Sequence, residues 1–251
     1  MDAAEPPGPV ILDDVRAEGV RLAEAAAAAD VPLRLMGGVA VWARCPSARL
    51  DALARVPGDV DFVGLSRPRG LVRDFLEAQG YEPDRLFNAL HGAQRLNFAD
   101  TVRDRPIDVV LDRFSMCHAI ELRERLVLEP VTIPATDLLL TKLQIVELND
   151  KDQRDLVALL ADVEPDLPYL TALLGADWGF EHTVRRTVAR VLSDLARFPL
   201  PAEVDGRVRA HVAELLAALD EGPKTVGWRM RSRVGERIRW YQVPEEARRE
   251  A

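Results

Sequence analysis

Gly58-Asp59-Val60-Asp61-Phe62-Val63 is the stretch whose reading decides the fold. An apolar run carrying acids two residues apart reads as a strand. Strand side chains alternate between two faces, so Asp59 and Asp61 project together, roughly 7 Å apart along the chain. A second run, Pro106-Ile107-Asp108-Val109-Val110-Leu111, repeats the pattern with one acid. Alternation there places Asp108, Val110 and Asp112 on one face and Ile107, Val109 and Leu111 on the other. Three carboxylates on two apolar strands of one sheet suit hard divalent cations such as Mg²⁺, which take oxygen ligands and bind nucleotide phosphates. Burying three like charges without a cation is costly, which turns the reading toward phosphoryl or nucleotidyl transfer. The plain alternative for any Asp-x-Asp strand is a solvated polar face on a half-buried sheet. Asp108 is the preferred third acid; Asp112, at the strand end before Arg113, reads equally well as a turn-initiating or salt-bridged residue.

Working outward toward the N-terminus, residues 13 to 29 read as a helix with an alanine run of high helix propensity. Pro32 separates it from a strand, Leu33-Arg34-Leu35-Met36, which leads directly into Gly37-Gly38 and a helix start at Val39 to Arg44. Such a turn brings backbone N–H groups to a helix N-terminus, where an anionic phosphate is favoured; a structural turn is the alternative. Cys45 to Pro57 reads as a loop or short helix, and Ser66 and Pro68 open a helix running to about Gln79 with Gly80 as its stop. Leu86 to Leu90 and Gln94 to Phe98 read as the two extended arms of a hairpin around His91-Gly92. His91 is then a candidate for positioning substrate or accepting a proton, against an ordinary turn histidine.

Toward the C-terminus the pattern turns helical. Helix 136 to 148 is apolar on most sides and interrupted by Lys142, which either reaches a phosphate or snorkels out of the core. Further helices are expected over 152 to 161, 180 to 197, 203 to 220 and 226 to 241. In the last of these, Val226, Met230, Val234, Ile238 and Tyr241 are expected to face the bundle, leaving Arg229, Arg233 and Arg237 as an anion-binding ridge. Trp228, Trp240 and Tyr241 could add stacking surfaces for RNA bases or adenine; the alternative is a solvated helix pairing its arginines with acids elsewhere. The fold class is α/β (α+β): a mixed sheet flanked by helices over residues 1–135, and a helical C-terminal region over 136–251.

The chain has 251 residues, 48% of them hydrophobic, enough for a sizeable core. No apolar stretch approaches the roughly 20 residues of a membrane helix, and the first residues lack a signal peptide's basic region, so no membrane partner and a cytoplasmic location are expected. Cys45 and Cys117, the only cysteines, have no disulfide-scaffold or zinc spacing and read as ordinary thiols. A formal net charge of −8 argues against wholesale nucleic-acid binding and leaves a local basic patch as the route to RNA.

The order Leu35-Met36-Gly37-Gly38, Asp59-Val60-Asp61-Phe62, Ile107-Asp108-Val109 resembles the DNA polymerase β-like nucleotidyltransferase superfamily. The resemblance spans roughly residues 33 to 112. It implies that Gly37 and Gly38 contact the triphosphate, and that Asp59, Asp61 and Asp108 are the catalytic triad holding two Mg²⁺ ions. Downstream, Thr136 to Leu143 followed by Asp150-Lys151-Asp152 and Asp155-Leu156 looks like the abortive-infection-type toxin branch and its uncharacterised bacterial relatives. By that resemblance Lys142 contacts nucleotide phosphate, and Lys151, Asp152 and Asp155 support the site; read locally, Asp150 or Asp152 caps the following helix and Lys151 pairs with Asp155. Two features depart from the family pattern: the gap between Gly38 and Asp59 is longer than in compact members, and Gly38 stands where serine is frequent. The implied activity is Mg²⁺-dependent transfer of a nucleotide from a nucleoside triphosphate to an acceptor hydroxyl. RNA or tRNA, reached through the basic helix 224 to 241, is one acceptor; a small molecule of antibiotic type or a protein is another. A regulatory protein partner, and a non-catalytic nucleotide-binding module, complete the alternatives.

Overall fold

Helix α1 (Val15–Ala28) starts at Asp14, whose side chain accepts hydrogen bonds from the backbone N–H groups of Arg16 and Ala17. Two donors that a helix N-terminus leaves open are thereby satisfied. The segment belongs to a computed structural model that describes residues 10–68 and 70–243. The described chain divides into two units. The first holds the residues up to Ala43, Val56–Phe114 and Glu121–Pro134; the second holds Arg44–Arg55, Ser115–Ile120 and the chain from Ala135 onward.

The first unit is built on β1 (Leu33–Met36), β2 (Val60–Gly64), β3 (Glu82–Pro83), β4 (Arg95–Asp100) and β5 (Arg105–Leu111), in the order β1-β2-β5-β4-β3. β2 and β5 are parallel and the other pairings antiparallel, so the sheet is mixed. Register puts Leu35 beside Phe62 and Phe62 beside Val109, with Val60 beside Ile107. These five are 0–1% exposed and form the core face. Complete burial of one such side chain stabilises by about 1.5–3 kcal/mol. α1 covers this face at close range: a Cβ on Gly19 would stand 2.8 Å from Val39 and 3.1 Å from Val60.

The hairpin expected around His91-Gly92 is not formed. Arg85–His91 is a helix, α4, capped by Asp84, whose side chain accepts from the Phe87 N–H. Both edges of β4 are already taken, by β3 and β5, and Leu86 to Leu90 contains no β-branched residue to favour a strand. The true hairpin joins β4 to β5, and His91 instead ends α4 with its ring 4.7 Å from Phe87. The helix expected up to Gln79 is α3 (Leu71–Ala78), and Cys45 to Pro57 contains one 3₁₀ turn, Pro46–Arg49. Two short strands, β6 (Arg113–Ser115) and β7 (Ala119–Glu121), pair with each other.

The second unit contains α5 (Ala135–Leu143), α6 (Asp150–Asp162), α7 (Leu167–Ala176), α8 (Trp178–Asp194), α9 (Ala202–Glu221) and α10 (Val226–Val234). α7 falls where the sequence shows only prolines: Asp166 caps it by accepting from the Tyr169 N–H, and Pro168 sits in the first turn, where a missing N–H does no harm. The helix expected over 226 to 241 stops at Val234, because Gly235 turns the backbone to φ +59°. Three of the apolar residues expected to face the bundle do not: Val226 is 71% exposed, and Met230 and Ile238 are 63% exposed, while Val234 and Tyr241 are half-buried. Among the described residues, no helix is long and apolar enough to cross a membrane.

Candidate active site

β1 passes directly into α2 (Gly37–Arg44): Met36 is the last strand residue and Gly37 the first helical one. Gly37 has φ +65°, a left-handed conformation that only glycine adopts without steric penalty. A Cβ there would lie 2.1 Å from Asp61 Oδ2, so the Asp61 carboxylate rests against bare glycine backbone at the start of α2. The glycine turn and the first acidic strand, adjacent only as motifs in the sequence, are in contact in the fold. Gly38, the next residue, lies within the same first turn of α2.

Across the parallel pair β2–β5, Asp61 is the register partner of Asp108. Neighbouring strands stand about 4.8 Å apart, so the two carboxylates leave the sheet side by side, on the face opposite the one α1 covers. Arg95 on β4 answers this concentration of charge. Its Nε donates to Asp108 Oδ1 at 2.7 Å and its Nη2 to Oδ2 at 2.5 Å, a bidentate pair. Asn97, the register partner of Asp108 on β4, would donate to Asp108 Oδ1 at 3.1 Å with its side-chain amide flipped, the orientation that satisfies both its oxygen and its nitrogen.

Asp59 does not share the strand with Asp61, contrary to expectation. It is exposed and lies in the bend before β2. Continuing the β2–β5 register one step back sets Asp59 against Pro106, which has no N–H to extend the ladder. Asp112 has φ +66°, and its side chain accepts from the Ser66 N–H at 3.1 Å and from Arg123 Nη2 at 2.7 Å; it closes a turn. Among the described residues, no group of three His, Cys, Asp or Glu side chains is placed to hold a metal ion. The expected Mg²⁺ triad is therefore not assembled: Asp61 and Asp108 are adjacent, Asp59 is off the strand, and the Asp108 oxygens are clamped by Arg95. As arranged, these residues do not fit the two-ion centre.

No family model matches the chain, and no curated protein matches it.

Lys142 and its expected supporters belong to the second unit. Its ammonium lies 3.0 Å from Asp152 Oδ1 and 2.9 Å from Asp155 Oδ2. Arg55 closes the network with Nε 2.8 Å from Asp155 Oδ1 and Nη2 2.6 Å from Oδ2. Burial would lower the Lys142 ammonium, but the two carboxylates outweigh it and hold the group above its ordinary value. Burial pushes the Asp155 carboxyl up, and the Arg55 hydrogen bond and Lys142 charge more than offset that, leaving it below the usual range. Asp155 is thus held by Lys142 and Arg55 rather than by Lys151, and the cap of α6 is Asn149, which accepts from the Asp152 N–H. Cys45 and Cys117 are buried free thiols, and burial pushes Cys45 up to about 12, well away from a reactive thiolate.

Arg95 and Asn97 were not singled out by sequence. Their signal is present in the alternation Arg95-Leu96-Asn97-Phe98, which turns two polar side chains to one face. Only the pairing of β4 with β5 shows that this face is the one bearing Asp108.

Proposed function

We propose that the chain is a nucleotidyltransferase acting from a nucleoside triphosphate onto an acceptor hydroxyl. The observation that carries the reading is the contact of the Asp61 carboxylate with left-handed Gly37 at a helix N-terminus, with Asp108 alongside on the next strand. Backbone N–H groups at the start of α2 suit a phosphate group, and the adjacent acids suit proton removal at the attacking hydroxyl. In the reaction the acceptor oxygen bonds to the α-phosphorus, the bond from that phosphorus to the bridging oxygen breaks, and pyrophosphate leaves. The hydroxyl proton passes to a carboxylate, for which Asp108, released from the Arg95 guanidinium, is the proposed group. The Arg95 clamp favours a second reading, a nucleotide-binding module without turnover, because a fixed guanidinium already neutralises Asp108.

The test incubates wild-type protein and Asp61→Asn with Mg²⁺, each α-phosphate-labelled nucleoside triphosphate in turn, and separate pools of RNA, protein and small metabolites. Label transfer by wild type alone supports the reading, and the labelled pool gives the acceptor class. Triphosphate binding with no transfer into any pool supports the module instead.

A further inference from the structure

Arg229, Arg233 and Arg237 are exposed and have no carboxylate partner among the described residues. That is unusual within the second unit, where Arg185, Arg186, Arg190, Arg197, Arg207 and Arg209 each pair with Asp or Glu. In a chain of net charge −8, carboxylates are abundant, and yet among the described residues none is set against these three. Val226 and Met230 on α10, and Ile238 just beyond it, are also exposed. On α10, Val226 and Met230 are one turn apart, as are Arg229 and Arg233, so an apolar and a cationic stripe run next to each other.

The opposite side of the segment is pinned down. Glu181, 2% exposed, accepts from Lys224 Nζ at 2.5 Å and from Trp228 Nε1 at 2.7 Å, and from Arg185 at 2.9 Å. Arg231 lies over the Trp178 ring at 4.8 Å and donates to the carbonyls of Gly235 and Ile238. Trp240 donates to Thr183 Oγ1 at 3.1 Å. These bonds set which side of α10 turns inward and prevent the apolar stripe from rolling into the bundle. The stripe stays in water because a buried carboxylate has claimed the inward positions for polar and aromatic groups.

We propose that the outward face of 226–238 is a docking surface for a protein partner that presents an acidic, amphipathic segment. Three arginines without a carboxylate partner among the described residues match carboxylates, and the apolar stripe beside them matches the apolar side of such a segment. RNA fits the face less well. Phosphates would satisfy the arginines but leave Val226, Met230 and Ile238 wet, and the rings suited to base stacking already have neighbours: Trp178 is stacked with His182, Lys224 lies over the Trp228 ring, Arg186 over the Trp240 ring, and Tyr241 packs against Trp240. The surface is independent of whether the first unit transfers nucleotides.

The test uses the full chain and fluorescence anisotropy of a labelled synthetic helix with leucines at i, i+3, i+4 and i+7 and glutamates on the flanking positions. Parallel probes are a single-stranded RNA oligonucleotide and phosphatidylserine-containing vesicles, with sedimentation to detect self-association. Saturable peptide binding is expected. Arg229→Glu with Arg233→Glu should weaken it by about tenfold or more, and Met230→Ser alone should weaken it several-fold. Both changes lie on exposed positions, and circular dichroism checks that the helices persist. Absence of peptide binding overturns the proposal. So does preferential binding of RNA or vesicles that Met230→Ser leaves untouched, which would make the face a general anion surface. A concentration-dependent dimer abolished by Met230→Ser would replace the partner with a second copy of this chain.

Discussion

Gly37→Ala tests the link between the glycine turn and the acidic strand. At φ +65° an alanine is strained, and residues held in such regions cost about 1–3 kcal/mol each. The new methyl would also stand 2.1 Å from Asp61 Oδ2, whereas ordinary contact begins at 3.4 Å. The carboxylate must therefore retreat by about 1 Å, a displacement of the size that lowers catalysis about 100-fold. Urea denaturation should show the strain as a lowered midpoint, and the label-transfer assay should show the retreat as a fall in kcat. Gly58→Ala is the control, because its Cβ would meet nothing within 4 Å. An unchanged midpoint for Gly37→Ala would refute the packing argument. A lowered midpoint with full transfer activity would refute the role given to Asp61.

Replacing Arg95 with glutamine removes the guanidinium from Asp108, and Mn²⁺ titration by electron paramagnetic resonance should then show about tenfold tighter binding than in wild type; equal affinities would show that the clamp does not compete with a cation. Asp155→Asn leaves Lys142 and Arg55 without their shared carboxylate, and denaturant unfolding should register a loss of about 3–5 kcal/mol. The wild-type Asp155 carboxyl titrates below its ordinary 3.8, so its stabilisation is complete above that value and is lost as pH falls through the folded value; the variant's stability profile should be flatter there. His118 is held down to about 4 chiefly by burial, stacked on Phe180 and bonded to Thr183. The unfolded chain takes up that proton near 6.5, so stability should rise by about 3 kcal/mol between pH 4 and 6.5, and His118→Gln should remove that slope.

Local order was legible in the sequence wherever neighbours along the chain decide it. Alternation marked β2 and β5 and assigned Asp61 and Asp108 to strand faces; Met36-Gly37 marked the strand-to-helix junction; propensity located α1 to within two residues at its start. Where two local readings competed, only tertiary contacts chose. Leu86 to Leu90 became a helix because β3 and β5 fill both edges of β4. Asp59 left the strand because its register position faces a proline. The clamp on Asp108 comes from Arg95, brought beside it by the β4–β5 register, and Asp155 meets Arg55 from 100 residues away. Val226 and Met230 face water because Glu181, on another helix, binds the groups on the far side of α10. Periodicity, capping and turn chemistry are properties of consecutive residues, and the sequence determined those. The partner of a charge, the edge a strand finds and the face a helix turns inward depend on residues remote along the chain, and these were decided by the tertiary structure.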